Sequence, residues 1–239
     1  MGIAQKGIAF YSGGKDGLYA AFLARKIGIA LNDFLLLRTT IGLSPHFENK
    51  KCLEAGIASM GARLLEFDMK ERAQGLAAFL AGYRFDVLVS GDVYLDDHRV
   101  WLESLAKKAG IRFLEPLWKR NSYELACSML ADGFKYMIVA VDRDKLDRKW
   151  LGYTFAAKKD LDEFLAKNPS ADPVGEQGEF HTLVFDCPLF TQSLSFHIDE
   201  KVESERYWYA RVSADVQEAS VGSKFTFCFQ SNRRTDCCH

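Results

Sequence analysis

The stretch "GIAFYSGGKDGLYAAFLARKIG", Gly7 to Gly28, decides the fold. An apolar run, Gly7 to Tyr11, has the character of a strand. It breaks into Ser12-Gly13-Gly14-Lys15-Asp16-Gly17 and resumes as an amphipathic helical pattern, Asp16 to Ile27, with Leu18, Phe22 and Leu23 on its buried face and Gly28 as its stop. A glycine-rich turn between a first strand and a first helix sets backbone N–H groups and a helix N-terminus at the carboxyl edge of a sheet, where an anion is favoured by unpaired donors and the macrodipole. Gly13 and Gly14 permit positive φ and close backbone approach. Lys15 adds a mobile charge, and Ser12 and Asp16 are helix-capping residue types. The loop fits neither G-x-x-x-x-G-K-[ST] nor G-x-G-x-x-G. A bare strand-to-helix turn would explain the glycines and Asp16 but not Lys15 beside them.

Outward from this loop, short apolar runs alternate with helical patterns. "DFLLLR" (Asp33 to Arg38), "RLLEFD" and "FDVLVSGD" (Phe85 to Asp92) read as strands; "ENKKCLEAGIASMG", "KERAQGLAAFLAGY" and "YLDDHRVWLESLAKKAG" read as helices. Strands without polar alternation, separated by helices, predict an α/β fold with a doubly wound parallel sheet over residues 1–116. Beyond Pro116 the rhythm changes. A helix at Ser122 to Asp132, the run "KYMIVAVD" and the helix "KKDLDEFLAKN" lead to the turn-rich "PSADPVGEQGEFHT". The aromatic, alternating runs "LVFDCPLF", "LSFHIDE", "RYWYARVSA" and "KFTFCFQ" then predict antiparallel strands, so residues 117–239 form a smaller α+β subdomain. Trp118, Trp150, Tyr207, Trp208 and Tyr209 are read as packing residues of that part.

With 239 residues, 26% of them charged, and a net charge of −1, the chain has ordinary globular composition and no global field toward nucleic acid or an acidic membrane. A charged leader and a membrane-length apolar run are both missing, which predicts a cytoplasmic protein with no membrane partner. Cys52, Cys127, Cys187, Cys228, Cys237 and Cys238 lack paired zinc spacing and disulfide-scaffold density, so they read as reduced thiols, and "TDCCH" reads as a frayed end. No interleaved basic and aromatic surface points to nucleic acid.

The loop resembles the S-G-G-x-D-S signature of the PP-loop ATP pyrophosphatases, with Gly17 in place of the final serine and its hydroxyl. Further along, "SGDVYLDDHRVWLESLAKKAGIRFLEPLW", "LGY" (Leu151 to Tyr153) and "DPVGEQGEFHTLVFDCPLF" look like the diphthine–ammonia ligase family, also called the ATP-binding domain 4 family. Gly175 to Thr182 fits that family's G-E-G-G-E-[YF]-x-T except at Gln177, and Val174 stands where a cysteine is common. The resemblance implies an adenine nucleotide alpha hydrolase-like fold and ATP cleaved between its α and β phosphates. Known members adenylate a carboxylate on diphthine, a modified histidine of elongation factor 2, and ammonia displaces AMP. The form Gly-Glu-x-Gly-Glu-Phe-His-Thr resembles bacterial-type relatives, for which diphthamide is not the expected product.

On this reading Ser12, Gly13, Gly14, Lys15, Asp16, Gly17, Arg38, Gly91 and Asp92 bind the nucleotide. Asp92 is also the Mg²⁺ candidate, and Lys15, Glu176, Glu179 and His181 are the catalytic candidates. Two carboxylates three apart in a glycine-punctuated turn suit a metal or an amine nucleophile, with a solvated acidic turn as the plain alternative. Ser44 and His46, in the loop leaving the second strand, and Arg99, a clamp for phosphate or carboxylate, are the substrate-side candidates. Asp96 and Asp97 belong either to the site mouth or to a helix first turn. The partners implied are a carboxylate substrate and ammonia; a homo-oligomer stays open. A nucleotide sensor without turnover and another PP-loop enzyme, such as a tRNA thiolase, are the rival readings.

Overall fold

A computed structural model describes residues 4–38, 45–72 and 75–215. Its first half runs β1 (Lys6–Phe10), α1 (Lys15–Lys26), β2 (Ala30–Arg38), α2 (Pro45–Glu48), α3 (Lys50–Ser59), β3 (Arg63–Asp68), α4 (Met69–Arg72), α5 (Leu76–Gly82), β4 (Val87–Val89), α6 (Asp96–Ala109) and β5 (Arg112–Leu114). The five strands are parallel in the order β3-β2-β1-β4-β5. Alternate side chains of each strand serve opposite faces. Ala9, Phe34, Leu36, Val87 and Val89 pack with Leu18 and Tyr19 of α1 and Leu53 and Ile57 of α3. Ile8, Leu35 and Leu88 pack with Leu76 and Leu80 of α5 and Leu102 and Leu105 of α6. The sheet is thus covered on both sides, as its apolar strands require. The strand order reverses between β1 and β4, so the crevice outside their carboxyl ends is where an α/β sheet of this kind places a ligand.

The second half adds α7 (Ser122–Ala131), β6 (Lys135–Asp142), a 3₁₀ turn (Arg148–Trp150), β7 (Thr154–Phe155), α8 (Lys158–Lys167), β8 (Phe180–Asp186), β9 (Phe196–Glu203) and β10 (Tyr207–Ala214). These strands are antiparallel, with β6 paired to β7, β8 and β10, and β10 to β9. The second sheet closes over the α1 and α3 side of the first: Leu183, Val184, Tyr136 and Phe134 share one apolar core with Leu18 and Leu53. Buried Asn49 fastens the join, donating to Ala210 O (3.0 Å) and accepting from Val212 N (2.7 Å).

Several sequence expectations need correction. The strand expected over Phe85 to Asp92 shrinks to three residues, because the chain turns away after Val89 to form the mouth of the crevice. The single helix "KERAQGLAAFLAGY" is two pieces, α4 and α5. Within α1, Leu18 is fully buried beside Tyr19, Ala20, Ala21 and Ala24, whereas Phe22 and Leu23 are only half-buried. Trp150 and Tyr209 are core residues and Trp208 packs against that core with Arg143 and Arg148 over its ring, as expected, while Trp118 lies under Arg99. Cys52, Cys127 and Cys187 are free thiols. The expected strand "KFTFCFQ" and the "TDCCH" end lie outside the described residues. Among the described residues no helix is long and apolar enough to cross a membrane.

Candidate functional site

The glycine loop sits at the carboxyl end of β1, and its shape is enforced by crowding. Gly13 has φ +76°, and a Cβ there would lie 2.5 Å from Leu53 Cδ2 and 2.8 Å from Leu183 Cδ2. The loop from β4 presses on it from the other side, where a Cβ on Gly91 would meet the Asp16 carbonyl carbon and oxygen at 2.6 Å. At Gly17 a Cβ would lie 3.0 Å from Phe10 O. A serine there needs the backbone to give by a few tenths of an ångström, so this loop is packed around the missing side chain.

The capping expectation is corrected. Gly14 is the N-cap of α1, and neither Ser12 nor Asp16 takes that place. The Lys15 amide donates instead to Thr182 Oγ1 (3.2 Å), a residue of β8, and Val184 N donates to Gly13 O (2.9 Å). Lys15 is not a mobile charge either. It is 1% exposed, and its ammonium donates to Asp16 Oδ2 (2.8 Å) and Val174 O (2.5 Å), with the Phe180 ring 5.4 Å away. A buried ammonium is tolerated only when paired and hydrogen-bonded in this way. Burial pushes the Asp16 carboxyl above its usual range against the pull of Lys15, and Asp16 Oδ1 is buried with no partner among the described residues.

The turn before β8 therefore lies on the loop. Gly175 (φ +70°) and Gly178 (φ +82°) reverse the chain, and Asp172 organises the turn by accepting from Val174 N (2.9 Å) and Glu176 N (3.2 Å). Glu176 crosses to the β4 side, its Oε1 accepting from Val93 N (2.8 Å) and Tyr94 N (3.2 Å). Burial raises its pKa while those two amides oppose the shift. Glu179 is 3% exposed; its Oε1 accepts from Asp172 N (3.0 Å), and its Oε2 is buried without a partner among the described residues. His181 alternates away from Thr182 along β8 and packs edge-on to Tyr207 at 5.2 Å.

Beyond β4, Asp92 Oδ2 takes bonds from Ser90 Oγ (2.7 Å) and His98 Nδ1 (2.9 Å), and the Asp92 bond is the main cause of a raised His98 pKa. Asp92, Asp96, Asp97, His98, Tyr94 and Leu95 line an open cavity of about 580 Å³, so the two first-turn aspartates of α6 also face the mouth. Arg99 is already committed: its guanidinium bonds Glu103 Oε1 (2.9 Å) and Glu115 Oε2 (3.0 Å) over the Trp118 ring. The Arg38 guanidinium is exposed at the end of β2, 3.8 Å from Asp68. Ser44 and the side chain of His46 lie outside the described residues.

Glu115 was not expected. Its side chain is 2% exposed, and burial, with Asp92 and Glu103 nearby, pushes the carboxyl up to about 7 against the pull of Arg99 and His98. The only sequence signal is a lone charge between an apolar strand and Pro116-Leu117-Trp118. The sign of its pH effect follows. A folded-state pKa raised above the unfolded value stabilises below the latter, and that contribution is lost as pH rises through the folded value. Stability should therefore decline from about pH 4.5 to 7 by at most about 3 kcal/mol through Glu115. His98 adds a loss of the same sign as pH rises through its own raised value. Urea unfolding at pH 5 and pH 8 should show the decline shallower in Glu115→Gln; an unchanged slope would refute the assignment.

The donor set can be tested against ATP and Mg²⁺. Ser12 Oγ would lie 3.3 Å from a Cβ on Gly14, so a side chain there would crowd that hydroxyl. Among the described residues no three His, Cys, Asp or Glu side chains converge on a cation site. Mg²⁺ that shares phosphate oxygens and keeps its waters needs only one or two carboxylates, and Asp92 fits that lesser demand.

Fold and loop together define the class: a doubly wound, PP-loop-like α/β protein with an antiparallel second sheet. The family follows from sequence comparison. Residues 5–113 match the diphthamide synthase N-terminal domain and residues 122–220 the diphthamide synthase C-terminal domain, so the chain belongs to the diphthamide synthase family. It is similar to the diphthine–ammonia ligase of Schizosaccharomyces pombe, 31% identical over 135 residues, which is 56% of this chain and 22% of that protein. The human diphthine–ammonia ligase is 31% identical over 113 residues, 47% of this chain and 42% of the relative. The chain spans less than half the length of these curated relatives.

Proposed function

We propose that the protein is an ATP-dependent, AMP-forming amide ligase, with residues 1–116 as the ATP unit and 117–239 as the acceptor unit. The observation that carries it is the seating of the Glu176–Glu179 turn on the glycine loop, through Lys15 to Val174 and Thr182, and on the β4 loop through Glu176. ATP phosphates lie against Ser12, Gly13, Gly14, Asp16, Gly17 and the start of α1, with Gly91 and Asp92 closing the crevice and Arg38 at its far edge. Mg²⁺ supplies neutralisation of phosphate charge beside Asp92. A substrate carboxylate displaces pyrophosphate at the α-phosphorus, and ammonia then displaces AMP on the side of Glu176 and Glu179, where the folded turn excludes water. Lys15 acts on this site through Asp16 and Val174. The names of the relatives make diphthine the first carboxylate to test, with ammonia as the amine.

The experiment is product analysis with ATP, ammonia and a panel of carboxylates that includes diphthine. AMP and pyrophosphate are expected in equal amounts, dependent on both the carboxylate and ammonia. ADP and phosphate would refute the mechanism. Nucleotide binding with no turnover on any carboxylate would favour the sensor reading, which the hydroxyl-free Gly17 supports.

A further inference from the structure

The lysine of the glycine loop faces the wrong way for a phosphate contact. Three of its features are independent. The side chain is among the largest fully buried ones in the protein. Its Nζ is held by a carboxylate of its own loop and by a backbone carbonyl 159 residues away, between the rings of Phe180 (5.4 Å) and Tyr136 (6.0 Å). Its amide is held by the Thr182 hydroxyl, two residues beyond Phe180 on the far side of the turn. One residue thus grips the turn at both ends, at Val174 before the glutamates and at Thr182 after them.

We propose that Lys15 is a positioning residue, a buried latch that ties the ATP loop to the Gly175–Thr182 turn, so that nucleotide on the loop orders the turn that carries Glu176 and Glu179. The inference rests on the ATP-site reading above. The chemistry favours coupling over simple support. Asp16 shares the ammonium and belongs to the same loop, so any shift of the start of α1 on binding an anion moves both the ammonium that donates to the Val174 carbonyl and the carboxylate that holds it. Releasing Val174 leaves a buried ammonium short of a partner, and the two arrangements become discrete states. Coupling of this kind is reciprocal: if nucleotide orders the turn, an ordered turn favours nucleotide to the same extent.

The test uses the full chain and two readouts. A brief pulse of acetic anhydride, read by peptide mass, compares Lys15 with exposed Lys51. Lys15 should react more slowly by at least about thirtyfold, and more slowly again with ATP and Mg²⁺ present. Equal reactivity would overturn the latch without any substitution. Hydrogen exchange over residues 172–182 is then followed in wild type, Lys15→Met and Lys15→Arg, each with and without ATP. Wild type should show the turn protected by ATP. Lys15→Met should bind ATP within about threefold of wild type yet lose that response in the turn while keeping it in the loop. A turn that responds to ATP equally in Lys15→Met would overturn the proposal, as would a large loss of ATP affinity with the turn unaltered, which would make Lys15 a phosphate contact. If Lys15→Met does not fold, Lys15→Arg and the wild-type labelling decide. If wild type binds no ATP, the ligase reading fails, while the labelling without nucleotide still reports whether the latch exists.

Discussion

Gly91→Ala is expected to cost the protein most of its nucleotide affinity and a large part of its stability. The new methyl carbon would lie 2.6 Å from the carbonyl carbon and oxygen of Asp16 and 2.7 Å from the Gly17 amide nitrogen, and all three are backbone atoms with no rotamer to escape by. Either the loop after β4 or the start of α1 must move by a good fraction of an ångström. Overpacking of this kind destabilises by roughly 1–3 kcal/mol. A displacement near 1 Å of the elements that hold the reacting groups lowers turnover on the order of a hundredfold. Gly82→Ala is the control, because nothing lies within 4 Å of its added Cβ. That variant should be unchanged or more stable by up to about 1 kcal/mol. Thermal unfolding and ATP titration of the two variants decide the matter. If Gly91→Ala unfolds at the wild-type temperature and binds ATP as wild type does, the contact between the β4 loop and the glycine loop is not what shapes the crevice.

The crevice itself was legible in the sequence because its causes are local. Gly7 to Tyr11, Asp33 to Arg38 and "RLLEFD" are apolar runs that only a sheet covered on both faces can bury, and the glycines after the first of them mark the close backbone turn at the carboxyl edge of that sheet. The contacts that complete the site were not legible, for a physical reason. Lys15 meets a main-chain carbonyl, Glu176 meets main-chain amides 82 and 83 residues away, and the first amide of α1 donates to a threonine hydroxyl from β8. Backbone groups are the same at every residue, so a pattern of side chains carries no sign of which carbonyl a lysine will find. Glu115 escaped for the opposite reason. Its perturbation comes from burial next to Asp92, and burial is a property of the packed sheet edge rather than of the sequence "FLEPLW". His181 was grouped with the glutamates by proximity in sequence, whereas its ring contact with Tyr207 of β10 comes from strand pairing, which the turn sequence does not show.

Glu179→Gln is expected to abolish ammonia-dependent AMP formation while leaving ATP affinity within about threefold of wild type. The substitution keeps the shape of the turn, since a glutamine Oε1 can still accept from Asp172 N, as Glu179 Oε1 does at 3.0 Å. What it removes is the negative charge and the second acceptor, Oε2, which is buried without a partner among the described residues. An unpaired acceptor at this depth costs free energy comparable to a lost hydrogen bond, and it is tolerated where a ligand supplies the donor. Ammonium is such a donor, and it must lose a proton before nitrogen can attack a carbonyl carbon. A carboxylate in this place can take that proton, and removing a group with that role typically lowers turnover by about 10²–10⁴-fold. Glu176→Gln should do less, because Glu176 serves the Val93 and Tyr94 amides as an acceptor and glutamine retains one carbonyl oxygen for them. Pyrophosphate release at saturating ATP, measured against ammonium concentration, separates the two variants. Glu179→Gln should lose the ammonium dependence altogether, while Glu176→Gln should keep it at reduced amplitude. Wild-type turnover in Glu179→Gln would show that the turn holds the loop without touching the amine, and the proton acceptor would have to be sought in the Asp92, His98 and Glu115 group across the crevice.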